Sequence, residues 1–232
     1  IRKDKNYLSY IVKFSLINSE LIEFLDSNGN VPLPPYIKKK RLINQSDCKN
    51  YQTIFANRIG AVAAPTASLH FTKRLVDKIK KKGVNIVKLT LHVNGGTFIP
   101  IKSNNIEDHL MHFEKGLITQ ESANKINYFK KNGGRVFAVG TTVLRLLESS
   151  KDHKGIVKAF DGETNIYIKP GWKVNTIDAL ITNFHTPKST LLLLIYAILG
   201  KKKTQEIYKF AIKHKMRFFS YGDACLIWNK NE

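Results

Sequence analysis

Apolar residues recur at helical spacing at Leu69, Leu75, Val76 and Ile79 until Gly83 stops them. A strongly β-forming run follows, with Val84, Ile86, Leu89, Leu91 and Val93, and Asn94-Gly95-Gly96 breaks it. The alternation then repeats. Thr119 is placed to cap a helix through Phe129 that ends at Gly133-Gly134, Arg135 to Val139 reads as a short buried strand, and Gly140-Thr141-Thr142 leads into a helix through Glu148. Ile166 to Ile168 falls in a strand-and-turn region, and Ile177 to Asn183 is the next strand. Pro187, at a first helical turn, opens the Leu191 helix that Gly200 closes. Thr204 is expected to cap a last helix reaching His214, and Arg217 to Ser220 to form a final strand. At the front, Tyr7 to Phe24 alternates loosely before the turn Asp26-Ser27-Asn28-Gly29, the pattern of the end of a β-rich module. Three prolines between Val31 and Tyr36 then make a stiff linker that presents Tyr36, so the expected division is residues 1–30 and 31–232.

Strands alternating with helices predict a parallel α/β domain, barrel-like or doubly wound. In either architecture ligands gather at the carboxyl ends of strands. By this pattern His92 to Thr97, Gly140 to Thr142, Asn183 to Lys188 and Ser220 to Asp223 all fall there.

One stretch departs from the rest. Tyr51 to Thr72, YQTIFANRIGAVAAPTASLHFT, holds no acidic residue and a single basic one, Arg58. Its middle is built of Gly60, Ala61, Ala63, Ala64, Ala67 and Ser68, which let a ligand approach the backbone, and Pro65 stiffens the chain ahead of Thr66, His70 and Phe71. It is either a tightly packed strand-to-helix turn or a ligand-facing loop. Gly140-Thr141-Thr142, with Arg145 one turn on, is suited to holding a carboxylate or phosphate. Asn183-Phe184-His185 precedes Pro187-Lys188-Ser189, where a helix amino end can hold an anion with His185 and Lys188 beside it. Asp223 suits an ammonium or a ribose hydroxyl, or alternatively a turn. His109-x-x-His112-x-Glu114 would put both histidines on one helical face, yet no cysteine or carboxylate cluster completes four ligands, so no metal is expected.

Composition changes this picture modestly. The 232 residues are enough for a sizeable core without metal or disulfide, and Cys48 and Cys225 are expected to be free thiols in a reducing cytoplasm. No signal segment is legible at the charged start, and the longest apolar run, Leu191 to Leu199, is about half a membrane span. With 38 Lys and Arg against 18 Asp and Glu, the net charge of +20 fits a polyanionic partner. Lysine runs such as Lys38 to Lys40 and Lys80 to Lys82 also fit solvated faces in a sequence shaped by genome composition.

The Tyr51 to Thr72 stretch resembles the signature of the S-adenosylmethionine:tRNA ribosyltransferase-isomerases of queuosine biosynthesis. Further blocks stand in that family's order: Val31 to Lys39, Leu91 to Phe98, His109 to Glu114, Ala138 to Ser149, Thr182 to Leu194 and Arg217 to Ile227. The resemblance implies a TIM-like α/β barrel, incomplete at its N-terminal side, with remnant strands of an inserted antiparallel β-barrel. It implies transfer of the ribosyl part of S-adenosylmethionine to 7-aminomethyl-7-deazaguanine at the tRNA wobble position, giving epoxyqueuosine with release of adenine and methionine. S-adenosylmethionine is then a co-substrate, no separate cofactor is needed, and tRNA is the partner of a cytoplasmic monomer. Carried onto this chain, the proton-transfer candidates are His70, His109, His112 and Glu114. The substrate-positioning candidates are Tyr36, Thr66, Arg145, His185, Lys188 and Asp223, with Tyr36, Phe71 and Phe184 as surfaces for an unstacked base. The chain departs from the family's usual residues at Ser68, Asn94, Gly95, Val143 and Thr186, and family members carry further residues before Ile1. Two rival readings are a catalytically inactive truncated member that only binds tRNA and, by barrel analogy, a phosphate-sugar enzyme.

Overall fold

The computed structural model describes residues 2–3, 10–95, 101 and 105–229. Gly96 and Thr97, expected beside the site, lie outside the described residues, as do residues 7–9 of the Tyr7 to Phe24 pattern. The described chain runs β1 (Arg2–Lys3), β2 (Tyr10–Ile11), α1 (Asn18–Asn28), α2 (Pro35–Lys38), α3 (Gln45–Asn50), a 3-10 turn (Thr66–His70), α4 (Lys73–Lys81) and β3 (Thr90–His92). It continues through a second 3-10 turn (Ile106–Asp108), β4 (Glu114–Ile118), α5 (Gln120–Lys131), β5 (Phe137–Val139), α6 (Thr141–Ser150) and β6 (Phe160–Thr164). β7 (Ala179–Asn183), α7 (Thr190–Leu199), α8 (Lys201–Lys213) and β8 (Ala224–Trp228) complete it.

Beyond the β1–β2 pair, the strands form two three-stranded sheets, β3-β4-β6 and β5-β7-β8. The fold is mixed α/β. The expected parallel pattern holds for one pair alone, β5 with β7, because β4 runs antiparallel to both its neighbours and β8 antiparallel to β7. Among the described residues no closed barrel forms.

Helix α6 joins the two sheets, packing on β5 and β7 from one and on β3 and β6 from the other. Its sequence explains this position: Leu144, Leu146 and Leu147 point around more than one face and are all buried, together with Ile118, Leu180 and Leu194. A helix apolar on several sides has no solvent face to offer and must sit between layers. A second, smaller cluster of Leu33, Ile37 and Tyr51 packs with Tyr221 from far along the chain.

Several boundaries differ from the sequence pattern. Residues 18–28 are helical where loose alternation predicts strand; α1 buries none of its side chains, so tertiary packing lends the pattern no period to obey. The strand expected over Val84 to Val93 shrinks to three residues, because its partner β4 runs opposite Thr90, Leu91 and His92 only. Ser189, not Pro187, opens α7, its hydroxyl accepting from the Leu192 amide at 3.1 Å. Thr204 lies inside α8, buried, its hydroxyl donating back to the Gly200 carbonyl at 2.8 Å. Arg217 to Ser220 is a loop, and the last strand starts at Ala224. Thr119 does cap α5, accepting from the Ser122 amide at 3.1 Å. Cys48 and Cys225 are both free, and among the described residues no helix is long and apolar enough to cross a membrane.

Candidate functional site

The carboxyl ends of β5 and β7 lie side by side, and Asn183 at the end of β7 pairs with Ala224 at the start of β8. Ser220 to Asp223 therefore reaches this edge by entering a strand, not by leaving one. The signature stretch spans from here to the other sheet: the Val62 amide donates to the Val93 carbonyl just past β3 at 2.9 Å, and Thr66 Oγ1 donates to Asn183 Oδ1 at the end of β7 at 3.0 Å. Gly60, at φ +135°, permits this crossing, since a Cβ there would lie 2.8 Å from the His92 ring. Residues 63–67 of the stretch thus line a cavity.

That cavity has a volume of about 100 Å³. Its walls come from Ala63 to Ala67, the Gly140-Thr142 corner, Thr182 to Thr186, Tyr36 and the Phe219-Ser220 pair. Among the described residues no charged side chain lines it; hydroxyls, small apolar groups and aromatic rings do. The amino end of α6 opens onto it. Gly140, at φ +98°, turns the chain from β5 into the helix with no side-chain cap, which leaves first-turn backbone N–H groups and the positive end of the helix dipole for whatever occupies the cavity. The amino end of α7 offers less, because Ser189 already takes one of its donors.

Of the residues named from sequence, Tyr36, Thr66, Phe184 and His185 line the cavity. The His185 amide donates to Tyr208 Oη at 2.8 Å and its Nε2 lies 2.9 Å from Thr182 Oγ1. Burial pulls its pKa down to about 4, so at neutral pH it is an uncharged imidazole that offers a hydrogen bond and no positive charge. Tyr36 packs its ring 5.1 Å from Phe219, and its hydroxyl donates to Ser220 Oγ at 2.5 Å while accepting from the Ser220 amide at 2.8 Å. Burial raises its pKa, which keeps it a donor.

Glu114 and Arg145 meet each other instead of the cavity. They form an ion pair, 2% and 4% exposed, and the Asn94 amide beside cavity-lining Val93 donates to Glu114 Oε1 at 3.2 Å. Arg145 Nε and Nη2 are buried and without a hydrogen-bond partner among the described residues. A guanidinium with donors left over is poised for a second anion.

The remaining candidates lie outside the cavity wall. His109 and His112 are not on a helix as expected: they follow the 3-10 turn Ile106–Asp108 in extended chain leading to β4, and His109 packs edge-on against Tyr167 at 5.7 Å. Burial and the neighbouring His112 lower the His109 pKa. Among the described residues no His, Cys, Asp and Glu group has the arrangement of a metal site. Lys188 is exposed at φ +54°, and its carbonyl accepts from the Ile101 amide at 2.9 Å. Asp223 is held by Arg217, whose amide donates to Oδ2 at 2.8 Å and whose Nη2 donates to Oδ1 at 2.8 Å; these hydrogen bonds lower its pKa, with His70 contributing a smaller lowering from nearby. Phe184, in the wall itself, packs 4.9 Å from Phe218 and is almost fully buried. Thr142, Asn183 and Ser220 belong to the blocks that the sequence pattern gathers at strand ends, whereas Thr182, one residue inside β7, is a lining hydroxyl that pattern does not single out.

Known proteins resemble this chain over nearly all its length. The sequence model of a family described as queuosine biosynthesis protein matches residues 1–227. An S-adenosylmethionine:tRNA ribosyltransferase-isomerase from Zymomonas mobilis is 52% identical over 220 residues, 94% of this chain and 64% of that relative. A protein of the same name from Rickettsia bellii is 52% identical over 219 residues, 94% of this chain and 62% of its own length. The crystal structure of an S-adenosylmethionine tRNA ribosyltransferase from Thermotoga maritima superposes with a TM-score of 0.56 at 37% identity, covering 69% of this chain and 51% of the other. The chain thus spans somewhat less than two thirds of the curated relatives it matches.

Proposed function

Because this chain belongs to the queuosine biosynthesis protein family, we propose that it acts in tRNA modification as an S-adenosylmethionine:tRNA ribosyltransferase-isomerase. The reaction is transfer and isomerisation of the ribosyl part of S-adenosylmethionine onto 7-aminomethyl-7-deazaguanine at the wobble position, giving epoxyqueuosine with release of adenine and methionine. The observation that carries this reading is the path of the signature stretch, which bridges both sheets and forms the wall of the cavity at the strand ends. A cavity of about 100 Å³ takes one part of the co-substrate, not the whole of it, since pockets enclosing whole small molecules start near ~300 Å³. Its uncharged, hydroxyl-rich wall suits a ribose or a heterocycle, with Thr66, His185 and Tyr36 in contact. In this reading Arg145 takes an anionic group of the substrates through its spare donors and Glu114 is a candidate for proton transfer, which the ion pair between them and the unpartnered Arg145 atoms support. His70, His109 and His112 remain outer candidates for proton transfer, and Lys188 and Asp223 for contacts with tRNA. In the same reading the two sheets are arcs of an α/β barrel, residues 1–30 belong to the inserted module, and the chain acts as a cytoplasmic monomer without a separate cofactor.

Incubating the chain with S-adenosylmethionine and tRNA bearing the precursor base tests this. Adenine release that depends on both substrates is the expected result, and Glu114→Gln abolishes it without unfolding the protein. The net charge of +20 favours one further outcome, a tRNA-binding protein without catalysis. Salt-sensitive binding with no adenine release selects that alternative and overturns the transferase reading.

A further inference from the structure

The wall formed by Tyr36, Phe219 and Ser220 is held by a buried group that lies outside the cavity. Asp47, on α3, is 1% exposed. Its carboxylate accepts from Arg41 Nη1 at 2.7 Å and Nη2 at 2.6 Å, from the Asn44 amide at 3.0 Å and from Tyr221 Oη at 3.1 Å. The Arg41 and Asn44 bonds are local, and the Asn44 bond is part of the capping box of α3. The Tyr221 bond is different, since it reaches across 174 residues to the turn that enters β8.

That turn is next to the cavity and is shaped by strained backbone. Phe219 sits at φ +72°, its amide donating to the Phe184 carbonyl at 3.0 Å, and the Gly222 amide closes back on the Phe219 carbonyl at 3.0 Å. Ser220 is fastened to Tyr36 by two hydrogen bonds, and Phe219 packs on the Tyr36 ring. Tyr221 is thus pinned on one side by Asp47 and joins directly to the two residues that face the cavity. Its ring meets Tyr51 edge-on at 5.8 Å, which fixes the orientation of the hydroxyl. Burial and the bond to Asp47 push the Tyr221 pKa up to about 12, so it stays a donor.

We propose that Asp47 is a positioning residue: through Tyr221 it sets where Tyr36, Phe219 and Ser220 stand, and so how tightly the cavity grips its ligand. The identity of that ligand as S-adenosylmethionine rests on the function proposed above. A group with only a structural role would affect stability; a positioning group affects affinity at temperatures where the fold is intact. A left-handed residue such as Phe219 persists only while its surroundings over-determine it, so loss of the Tyr221 tether lets the turn relax.

Two measurements on the full chain test the idea. Titration calorimetry with S-adenosylmethionine compares the wild type with Asp47→Asn, Asp47→Glu and Tyr221→Phe, and hydrogen exchange follows the amides of residues 217–223 in the same proteins. The expected result is faster exchange at Phe219 and Ser220 and a dissociation constant raised about fivefold or more in both Asp47→Asn and Tyr221→Phe, less than additively when combined. Asp47→Glu, which keeps charge and acceptors, restores part of the affinity. Should Asp47→Asn fail to fold, Tyr221→Phe removes the hydroxyl alone and decides the matter. Unchanged exchange in the turn, or altered exchange with wild-type affinity, overturns the proposal. Absence of S-adenosylmethionine binding in the wild type instead overturns the ligand assignment, and the exchange data still decide whether Asp47 controls the wall.

Discussion

Glu148 shows how a residue that no motif marks can matter as much as those in the signature. It is almost fully buried on α6, and burial pushes its pKa up. The hydrogen bonds from Lys151, Thr176 and Trp172 outweigh that and leave it lowered below the usual glutamate value of 4.5. A carboxylate with a depressed pKa adds stability that is complete above its unfolded value and is lost as pH falls through its folded one. Glu148→Ala is therefore expected to cost about 3 kcal/mol, read by urea denaturation at pH 7, because it strands Lys151 and the Thr176 hydroxyl. The deficit should shrink as pH falls below 4.5 and through the lowered folded value. His185 has the opposite charge logic with the same slope. Its pKa falls from 6.5 to about 4 on folding, so the unfolded chain takes up a proton first and stability declines as pH drops from about 6.5 towards 4. His185→Gln should flatten that decline in a series of thermal melts. Neither effect was legible from sequence, since a glutamate in a helix and a histidine before a proline look alike whether buried or solvated.

At the scale of elements, the periodicity of apolar residues located α4, α5, β5, α6, β7 and α7 because each has a face or a run that must leave water. It placed the Thr119 cap of α5 and the Gly200 stop of α7 but misplaced the starts of α7 and α8, since capping is decided by which hydroxyl reaches which amide. Ser189 opens α7 in place of Pro187, and Thr204 sits inside α8 bonded to Gly200. Antiparallel pairing of β4 and β8 was illegible for another reason, as chain direction in a sheet depends on partners far away. The element with most at stake is α6, which serves as the shared core of both sheets and as the amino end facing the cavity. Leu146→Ala should destabilise the protein by about 3 kcal/mol through the cavity it leaves, measured by chemical denaturation. Thr119→Ala, which removes the α5 cap, should cost about 1 kcal/mol by the same measurement.

For the whole molecule, lysines and arginines lie on the exposed faces of helices such as α4 and α8, while among the described residues no charged side chain lines the cavity. Polyanion attraction and ligand grip are thus separated in space. Binding of tRNA should weaken steeply with salt, with a slope of log affinity against log salt of about −0.7 to −0.9 per phosphate neutralised, whereas binding of a small ligand in the cavity should hardly respond. Filter binding at a series of salt concentrations checks the first and calorimetry the second. The amino-acid order alone determined the family, the alternation of helices with strands, and the ends of β5 and β7 as places where polar blocks gather, because these depend on local composition and spacing. Only the tertiary structure decided that Glu114 and Arg145 pair with each other away from the cavity wall. It likewise decided that His109 and His112 stand off a helix, and that Asp47 and Tyr221 meet across 174 residues. Such contacts are made by chain paths that cross in space, and no short window of sequence contains both partners.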